Sequence, residues 1–521
     1  MSKGFHGGDA LARAVESAYR NNQVDYSMPP MALVDENGNA VGKIQDGDTV
    51  IFCCRRGERE IELTEAFTDP NFTGFARKHM KDLLFAILTL YHEKFKDLPI
   101  AFAPECVDTP LAQVLSAHGI RQFHCAESEK FAHVTHFFNG GHNAPFPGED
   151  DVSIPSPKGV AFDQVPELHL PKVCERVKQA INDQYGFIVA NFANGDVIGH
   201  TSSTEAKLTA VNAVSEYVHE VTAHAKTKGY TILITADHGN IETLRDSQGK
   251  PHVAHTTSQV PFLVVDPRHE SIVLRDGKLA DVSPTILKIL GIEKPALMQG
   301  ESLITEGGVH NNRVMLLILD GWGIGSGDEN DALFVADTEK WDALLTRYPN
   351  CRLDASGEAV GLQAGKAGNS EAGHTNLGAG RVVLQDDVRI DNAIADGTFE
   401  KNPVILSCIE RAKENGRPLH LIALLTKRSS HGSIDYPIAI TRMAEGVKDV
   451  FIHIIFDGRS TDPGSAPALL RELDSTLSSI GRGVIVDGVG RGIALDRDLN
   501  YDKIKRAYCS MTVGTEGNYK R

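Results

Sequence analysis

The chain reads as α/β, in more than one domain. Three observations carry that expectation. Short apolar runs such as FIVANF, TILIT and VMLLIL recur between polar, helix-like stretches, and each is too brief to be a helix of its own. These runs are followed by acidic and histidine residues beside glycine, the address at which open α/β sheets carry their sites. A chain of 521 residues also exceeds what one ordinary core takes up, so two or three domains are expected.

Composition narrows the class. Hydrophobic residues make up 41% and charged residues 23%, a globular balance rather than a disordered or fibrous one. The opening MSKGFHGGDALARAVE is mostly polar, and the best apolar run, Val314 to Leu319, is too short to span a bilayer. No membrane partner is expected, and the cytoplasm is the expected compartment. The eight cysteines form no CxxC pair, and the adjacent Cys53 and Cys54 cannot easily bridge each other, which suits reduced thiols. A net charge of -16 argues against nucleic acid as a partner. An anionic small substrate stays open, because bound metals and a few arginines set the local field.

Taken in order, residues 9–21 have helical periodicity, with Asp9 as a plausible cap. Two short strands follow in ALVDENGNAVGKIQDGDTVIFCC. Arg55, Arg56 and Arg59 come next and open a helix through ELTEAF. Such arginines suit a phosphate or carboxylate, or form a solvated basic turn. Residues 80–95 read as helix and strand, and 98–110 as a proline-bearing linker at a domain boundary. Lys130 and His133 follow the next strand, where a lone lysine is commonly a surface charge. FIVANFANGDVIGH is a buried-type strand entering a loop with Asp196 and His200. After a long helix, TILITADHGN ends in Asp237 and His238, and His255 follows in HVAHTT. Residues 281–291 carry a helix start and a glycine stop. VMLLILDGWG is a third such strand, ending in Asp320. From about 389, strands precede His431, then Asp457, Arg459 and Ser460, then Arg491 and Arg497, and the chain closes after a helix in YDKIKRAYCSM. No internal repeat or low-complexity tract is visible.

The chemistry centres on GKAGNSEAGHTNLGAGR, residues 365–381. Its glycines let backbone approach a bulky oxyanion around Ser370, although a flexible Gly/Ser loop reads the same way. A serine hydroxyl is a weak nucleophile unless a base or a metal takes its proton, and no Ser-His-Asp spacing is present. Asp196, His200, Asp237, His238, His255 and Asp320 offer oxygen and nitrogen ligands instead, and Ser370 can add another. Singly, DHG is commonly a plain turn and a lone histidine such as His255 is commonly structural. Together they exceed one tetrahedral site and suit two divalent ions, with Mn2+ first and Mg2+ or Zn2+ next.

The stretches LLILDGWG, GNSEAGHTNLGAGRVV, GDVIGHT, ITADHGN, AHTT, AESEKFAHVTHFFNGG and FDGR together resemble the cofactor-independent phosphoglycerate mutases, a branch of the alkaline phosphatase superfamily. The resemblance covers nearly the whole chain, but in changed order. LLILDGWG normally lies near the N-terminus, so the chain resembles a circular permutant with its usual ends joined near 303–312. The resemblance implies an alkaline-phosphatase-like three-layer α/β/α domain at about 105–388. It implies a second, discontinuous α/β transferase-like domain at 1–104 and 389–521. It further implies one metal on Asp196, His200 and His255, and another on Asp237, His238, Asp320 and Ser370. Lys130, His431, Arg459, Arg491, Arg497, Arg56 and Arg59 would bind phosphoglycerate. The implied reaction moves a phosphoryl group from 3-phosphoglycerate to Ser370 and back to the 2-hydroxyl, without 2,3-bisphosphoglycerate, in a monomer.

Departures from the family pattern fall in the transferase half. DGRD is here Asp457-Gly458-Arg459-Ser460, so the expected acid/base is a serine. SDGGVHSH has become residues 426–433 (TKRSSHGS), GRYYAMDR has lost two tyrosines in residues 490–497, and FNFR is Cys53-Cys54-Arg55-Arg56. Two alternatives therefore stand beside the mutase: a metal-dependent phosphatase, in which water takes the phosphoryl group, and a catalytically impaired phosphoglycerate-binding relic.

Overall fold

The apolar runs fold as two eight-stranded sheets in two α/β units, one made of Met1–Pro104 with Arg389–Arg521 and the other of Glu105–Val388. The computed structural model describes residues 7–55, 59–104, 106–427, 429, 431–514 and 519–520. Among these, no helix is long and apolar enough to cross a membrane. All eight cysteines are free.

In the Glu105–Val388 unit the sheet runs Gly277–Lys278, Asn350–Asp354, Val260–Val265, Thr231–Thr235, Val314–Leu319, Phe187–Phe192, Gln122–Glu127, Glu149–Ile154. Val314–Leu319 lies at its centre, parallel to both neighbours, with Val314 opposite Phe187 and Thr231. Every residue of these three strands is buried. Apolar cover on both faces is why their sequences are continuous hydrophobic runs rather than alternating ones. Val260–Val265 alone runs antiparallel to that central group. Leu170–Asn182, Thr204–Thr227 and Glu339–Arg347 pack together as one helix group, and Leu111–Ala117, Val282–Leu290 and Ser370–Ala379 as another. The unit is thus a three-layer arrangement around one core.

In the other unit the order is Tyr519–Lys520, Met31–Val34, Val484–Gly490, Val450–Phe456, Leu419–Leu425, Thr49–Phe52, Leu84–Thr89, Ile100–Phe102. The last six are parallel, and Met31–Val34 runs against them. Alternate residues enter two separate cores: Ile51, Cys53 and Leu421 face one, and Val50, Phe52, Cys54 and Ile422 the other. Cys53 and Cys54 therefore point to opposite faces of the sheet, which keeps them unbridged.

Three local expectations change, and one alternative reading drops out. Asp9 lies inside the first turn of Gly8–Arg20, and the cap position is held by Gly7 in the left-handed region. The segment read as a linker contains an edge strand, Ile100–Phe102. Asp196 sits in a short helix, Asn194–Gly199, rather than a loop. Ser370 begins the helix Ser370–Ala379 rather than lying in a flexible glycine loop.

Candidate metal centre and nucleophile

Parallel register places three strand ends side by side. Asp320 directly follows Val314–Leu319, Asp237 follows Thr231–Thr235 by two residues, and the helix bearing Asp196 begins two residues after Phe187–Phe192. The helix Ser370–Ala379 then presses against them. Its N-terminus is capped by the Asn369 side chain, which accepts from Ala372 N at 2.8 Å. Gly373 permits the approach, since a Cβ there would lie 2.7 Å from the Cβ of Asp237. Ser370 is buried.

Around Ser370 Oγ stand Lys130 Nζ at 2.7 Å, His238 Nε2 at 3.0 Å and Asp320 Oδ1 at 3.2 Å. Lys130 Nζ also donates to Asp196 Oδ2 at 2.6 Å and to Asp320 Oδ1 at 2.7 Å. Burial alone would lower the lysine pKa, but the Asp320, Asp196 and Asp237 carboxylates outweigh it and raise it. Lys130 is therefore an ammonium lodged between carboxylates. Burial works to raise the pKa of Asp320 and Asp196, yet Lys130 and the imidazoles hold both below the usual carboxylate range. His238 follows the lysine pattern: burial lowers it, and Asp237, Asp320 and Asp196 bring it up to about 9.

Two donor groups close enough to hold an ion, Asp196/His238/His255 and Asp237/His238/Asp320, share His238. Beside the first, His200 Nε2 lies 3.2 Å from Asp196 Oδ1 and 3.0 Å from His255 Nε2, and His255 Nε2 lies 3.0 Å from the same oxygen. A tetrahedral ion with bonds of about 2.0–2.1 Å would space its ligands about 3.3 Å apart. The imidazoles are oriented for that role. His200, His238 and His255 each turn Nδ1 to a backbone carbonyl, of Val253 at 2.9 Å, Gly239 at 3.1 Å and Gly368 at 2.8 Å. Each Nε2 is thereby the nitrogen turned inward, the one a bound cation would take in place of a proton, as in the usual arrangement of metal-bound histidine. Asp237 Oδ2 is buried with no hydrogen-bond donor. The residues present thus fit two adjoining divalent cations, in the mixed N/O donor set that such ions take.

Several residues of this site carry no sequence signal of their own. Glu242, buried, accepts from Asn240 N at 2.7 Å and Gly323 N at 3.2 Å through Oε2, and from the Thr256 hydroxyl through Oε1. One carboxylate therefore ties together the loops carrying His238, Asp320 and His255. Asn191 donates to Asp320 Oδ2 at 2.6 Å and stands 3.0 Å from His374 Nε2. His374, four residues after Ser370 on the same helix, lies 3.3 Å from Asp237 Oδ2. That i,i+4 spacing was the one available clue.

The remaining expected residues lie in the other unit, after the carboxyl ends of four adjacent parallel strands. Arg491 is buried and paired with Asp457. His431 Nδ1 is 3.2 Å from Glu60 Oε1, a buried carboxylate whose pKa desolvation raises. Arg59 donates to Leu495 O at 3.0 Å. Arg459 and Arg497 are exposed, and Arg56 lies outside the described residues. Ser460 is exposed, with its N–H on Asp457 Oδ2 at 2.8 Å and its hydroxyl 3.4 Å from that of Ser429. Arg55, absent from the expected ligand set, is buried and donates to Ser429 O at 2.6 Å and to the Tyr436 hydroxyl.

Comparison with known proteins gives two family matches. The model described as "Metalloenzyme superfamily" matches residues 38–294, and the one described as "BPG-independent PGAM N-terminus" matches residues 390–521. The 2,3-bisphosphoglycerate-independent phosphoglycerate mutase of Salinibacter ruber is 43% identical over 301 residues, covering 57% of each chain. That of Moorella thermoacetica is 40% identical over 303 residues, covering 58% of each. The chain thus spans somewhat over half the length of the curated relatives it matches. A solved Leishmania mexicana phosphoglycerate mutase, at low cobalt concentration, is 30% identical over 53% of each chain, with a TM-score of 0.41. The match to the family's N-terminus lies C-terminal to the metalloenzyme match, with residues 295–389 between the two: the chain belongs to the cofactor-independent phosphoglycerate mutases of the metalloenzyme superfamily.

Proposed function

We propose that this chain interconverts 3-phosphoglycerate and 2-phosphoglycerate through a phosphoserine at Ser370. The observation that carries this is a buried serine hydroxyl 2.7 Å from Lys130 Nζ and 3.0 Å from His238 Nε2, inside a His/Asp nest suited to two cations. Asp196, His200 and His255 are assigned to one ion, and Asp237, His238, Asp320 and Ser370 to the other. Mn2+ is the favoured metal, with Mg2+ and Zn2+ as alternatives. Bound there, the ions would lower the Ser370 pKa and neutralise the phosphoryl oxygens.

Ser370 Oγ attacks phosphorus. The Oγ–P bond forms and Oγ gives up its proton as the bond from phosphorus to the C3 oxygen breaks, and that oxygen takes up a proton in turn. After the glycerate turns, its 2-hydroxyl attacks the phosphoserine and loses its proton. The bond from phosphorus to the C2 oxygen forms as the Oγ–P bond breaks, Oγ takes up a proton, and Ser370 is regenerated. Lys130 holds its proton throughout and offers the phosphoryl group a fixed positive charge. His431, Arg459, Arg491, Arg497, Arg56 and Arg59 are assigned to the carboxylate and phosphate of the substrate, whose anionic oxygens guanidinium groups match.

The reading extends to a cytoplasmic monomer that needs no 2,3-bisphosphoglycerate and has neither nucleic acid nor membrane as a partner. It also includes a circularly permuted order, supported by the position of the match to the family's N-terminus at residues 390–521.

One observation favours a second reading. No carboxylate stands at position 460, and Asp457 is committed to Arg491, so the proton traffic of glycerate re-phosphorylation lacks an evident carrier. Water would then take the phosphoryl group and the chain would act as a phosphatase. Phosphorus NMR of 3-phosphoglycerate with the Mn2+-loaded protein separates the readings. Growth of 2-phosphoglycerate, absent with Ser370→Ala, supports the mutase. Inorganic phosphate alone supports the phosphatase, and no Ser370-dependent turnover leaves a phosphoglycerate-binding relic.

A further inference from the structure

A second cluster of ligand-type side chains lies at the far edge of the same sheet, away from the strand ends described above. Gln122–Glu127 and the edge strand Glu149–Ile154 are parallel, with Gln122 opposite Glu149 and His124 opposite Asp151. The period of two puts positions 124, 149 and 151 on one face. One donor atom from each of the three side chains lies within 4.8 Å of the others, close to the span that a single ion with bonds of about 2.0–2.2 Å requires.

What the cluster lacks is a donor. His124 is fully buried and Asn139 is 1% exposed, yet His124 Nε2, Asn139 Oδ1 and Asp151 Oδ1 have no hydrogen-bond partner. His124 Nδ1 is already turned to Val134 O at 2.8 Å, which marks Nε2 as a lone pair. Asn139 Nδ2 is committed to Glu149 Oε1 at 2.6 Å, which makes its Oδ1 an acceptor as well. The carboxylate of Glu149 also accepts from Phe146 N at 2.9 Å, lies 3.4 Å from His124 Nδ1 and stands within hydrogen-bonding reach of the Asp151 carboxyl group. Among the described residues, neither Glu149 nor Asp151 pairs with a lysine or arginine. Buried acceptors without donors are destabilising, and all the orphans here bear lone pairs. A cation held among His124, Glu149 and Asp151 would supply the positive partner that the two carboxylates lack. Asp151 is only half-buried, which leaves a mouth to solvent beside Asp150.

We propose that His124, Glu149 and Asp151 bind a divalent cation of the Zn2+/Mn2+ class, separate from the strand-end pair. Imidazole with two carboxylates is a donor set these ions accept, and the Val134 carbonyl on the other ring nitrogen is the outer partner such a histidine takes. Val134 lies in the His133–Phe137 turn, just after Lys130, so the ion would fasten that turn to the sheet edge.

Two measurements on the full chain test this. Wild type and Asp151→Asn are dialysed against Zn2+ or Mn2+ and the bound metal is counted; the variant is expected to hold one ion fewer per chain, whatever the total. Wild-type crystals soaked in the same metal are expected to give an anomalous peak among His124, Glu149 and Asp151. Equal metal content in the two proteins, or no peak at that cluster, overturns the proposal. A loss of strand-end peaks with this one retained would count against the two-metal reading and leave this site standing.

Discussion

Replacing Glu242 by alanine is expected to loosen three ligand-bearing loops at once. Its Oε2 accepts two backbone N–H groups, Asn240 at 2.7 Å and Gly323 at 3.2 Å, and its Oε1 accepts the Thr256 hydroxyl. The side chain is 1% exposed, so water cannot readily replace it. Alanine strands both buried N–H groups at about 1–3 kcal/mol each, a loss of about 2–6 kcal/mol in stability. Glutamine can keep an oxygen on the two N–H groups and turn its amide to the Thr256 hydroxyl. It loses mainly the charge assistance, about 1–2 kcal/mol. If the carboxylate positions His238, Asp320 and His255, the alanine variant also binds Mn2+ about 10–100-fold more weakly, as losses behind metal ligands commonly do. Glutamine should recover most of that affinity. Urea unfolding measures the first effect and calorimetric Mn2+ titration the second. An alanine variant that loses stability yet binds Mn2+ as wild type does would refute the positioning argument.

Three other outcomes are expected. Ser370→Ala should remove phosphoenzyme formation and lower turnover by roughly 10^4-fold or more while the protein remains folded, as read by phosphoserine mass spectrometry beside circular dichroism. Chelation should lower the melting temperature, because ligand at 100 times its dissociation constant contributes about 2.7 kcal/mol; an unchanged melting curve after exhaustive chelation would argue against resident metal. His420 is buried beside His453 and Asp48, and burial pushes its pKa down to about 4 from 6.5. Because the folded value is depressed, its contribution is fully present above pH 6.5 and is lost as pH falls through 4. That amounts to roughly 3 kcal/mol, and a His420→Asn variant should show a shallower acid-side fall in urea stability than wild type.

Much of the site's raw material was legible because its signals are local. A brief run of branched apolar residues followed by Asp-His-Gly or Asp-Gly marks a strand and its polar end, so the positions of Asp237 and Asp320 after strands could be read without any partner. The character of Glu242, Asn191 and His374 could not. Asn191 sits within an otherwise apolar strand, and Glu242 looks like an ordinary surface carboxylate until Gly323 and Thr256 arrive from elsewhere in the chain. Ile100–Phe102 escaped notice for a related reason: three residues beside prolines form a strand only because Leu84–Thr89 offers an edge to pair with.

The sequence by itself determined the α/β class, the family, and the inventory of imidazoles, carboxylates and the glycine-flanked serine, since each is written in residues close together along the chain. Tertiary structure decided which of them meet. Val314–Leu319 comes late in the chain yet takes the centre of its sheet, between Thr231–Thr235 and Phe187–Phe192. Thr49–Phe52 likewise pairs with Leu419–Leu425 across most of the sequence. Strand order follows from burying both faces of each apolar run at once, a demand that only the whole fold can meet. The in-register strand ends then bring Asp196, Asp237 and Asp320 together, and Lys130 settles as a buried cation among them.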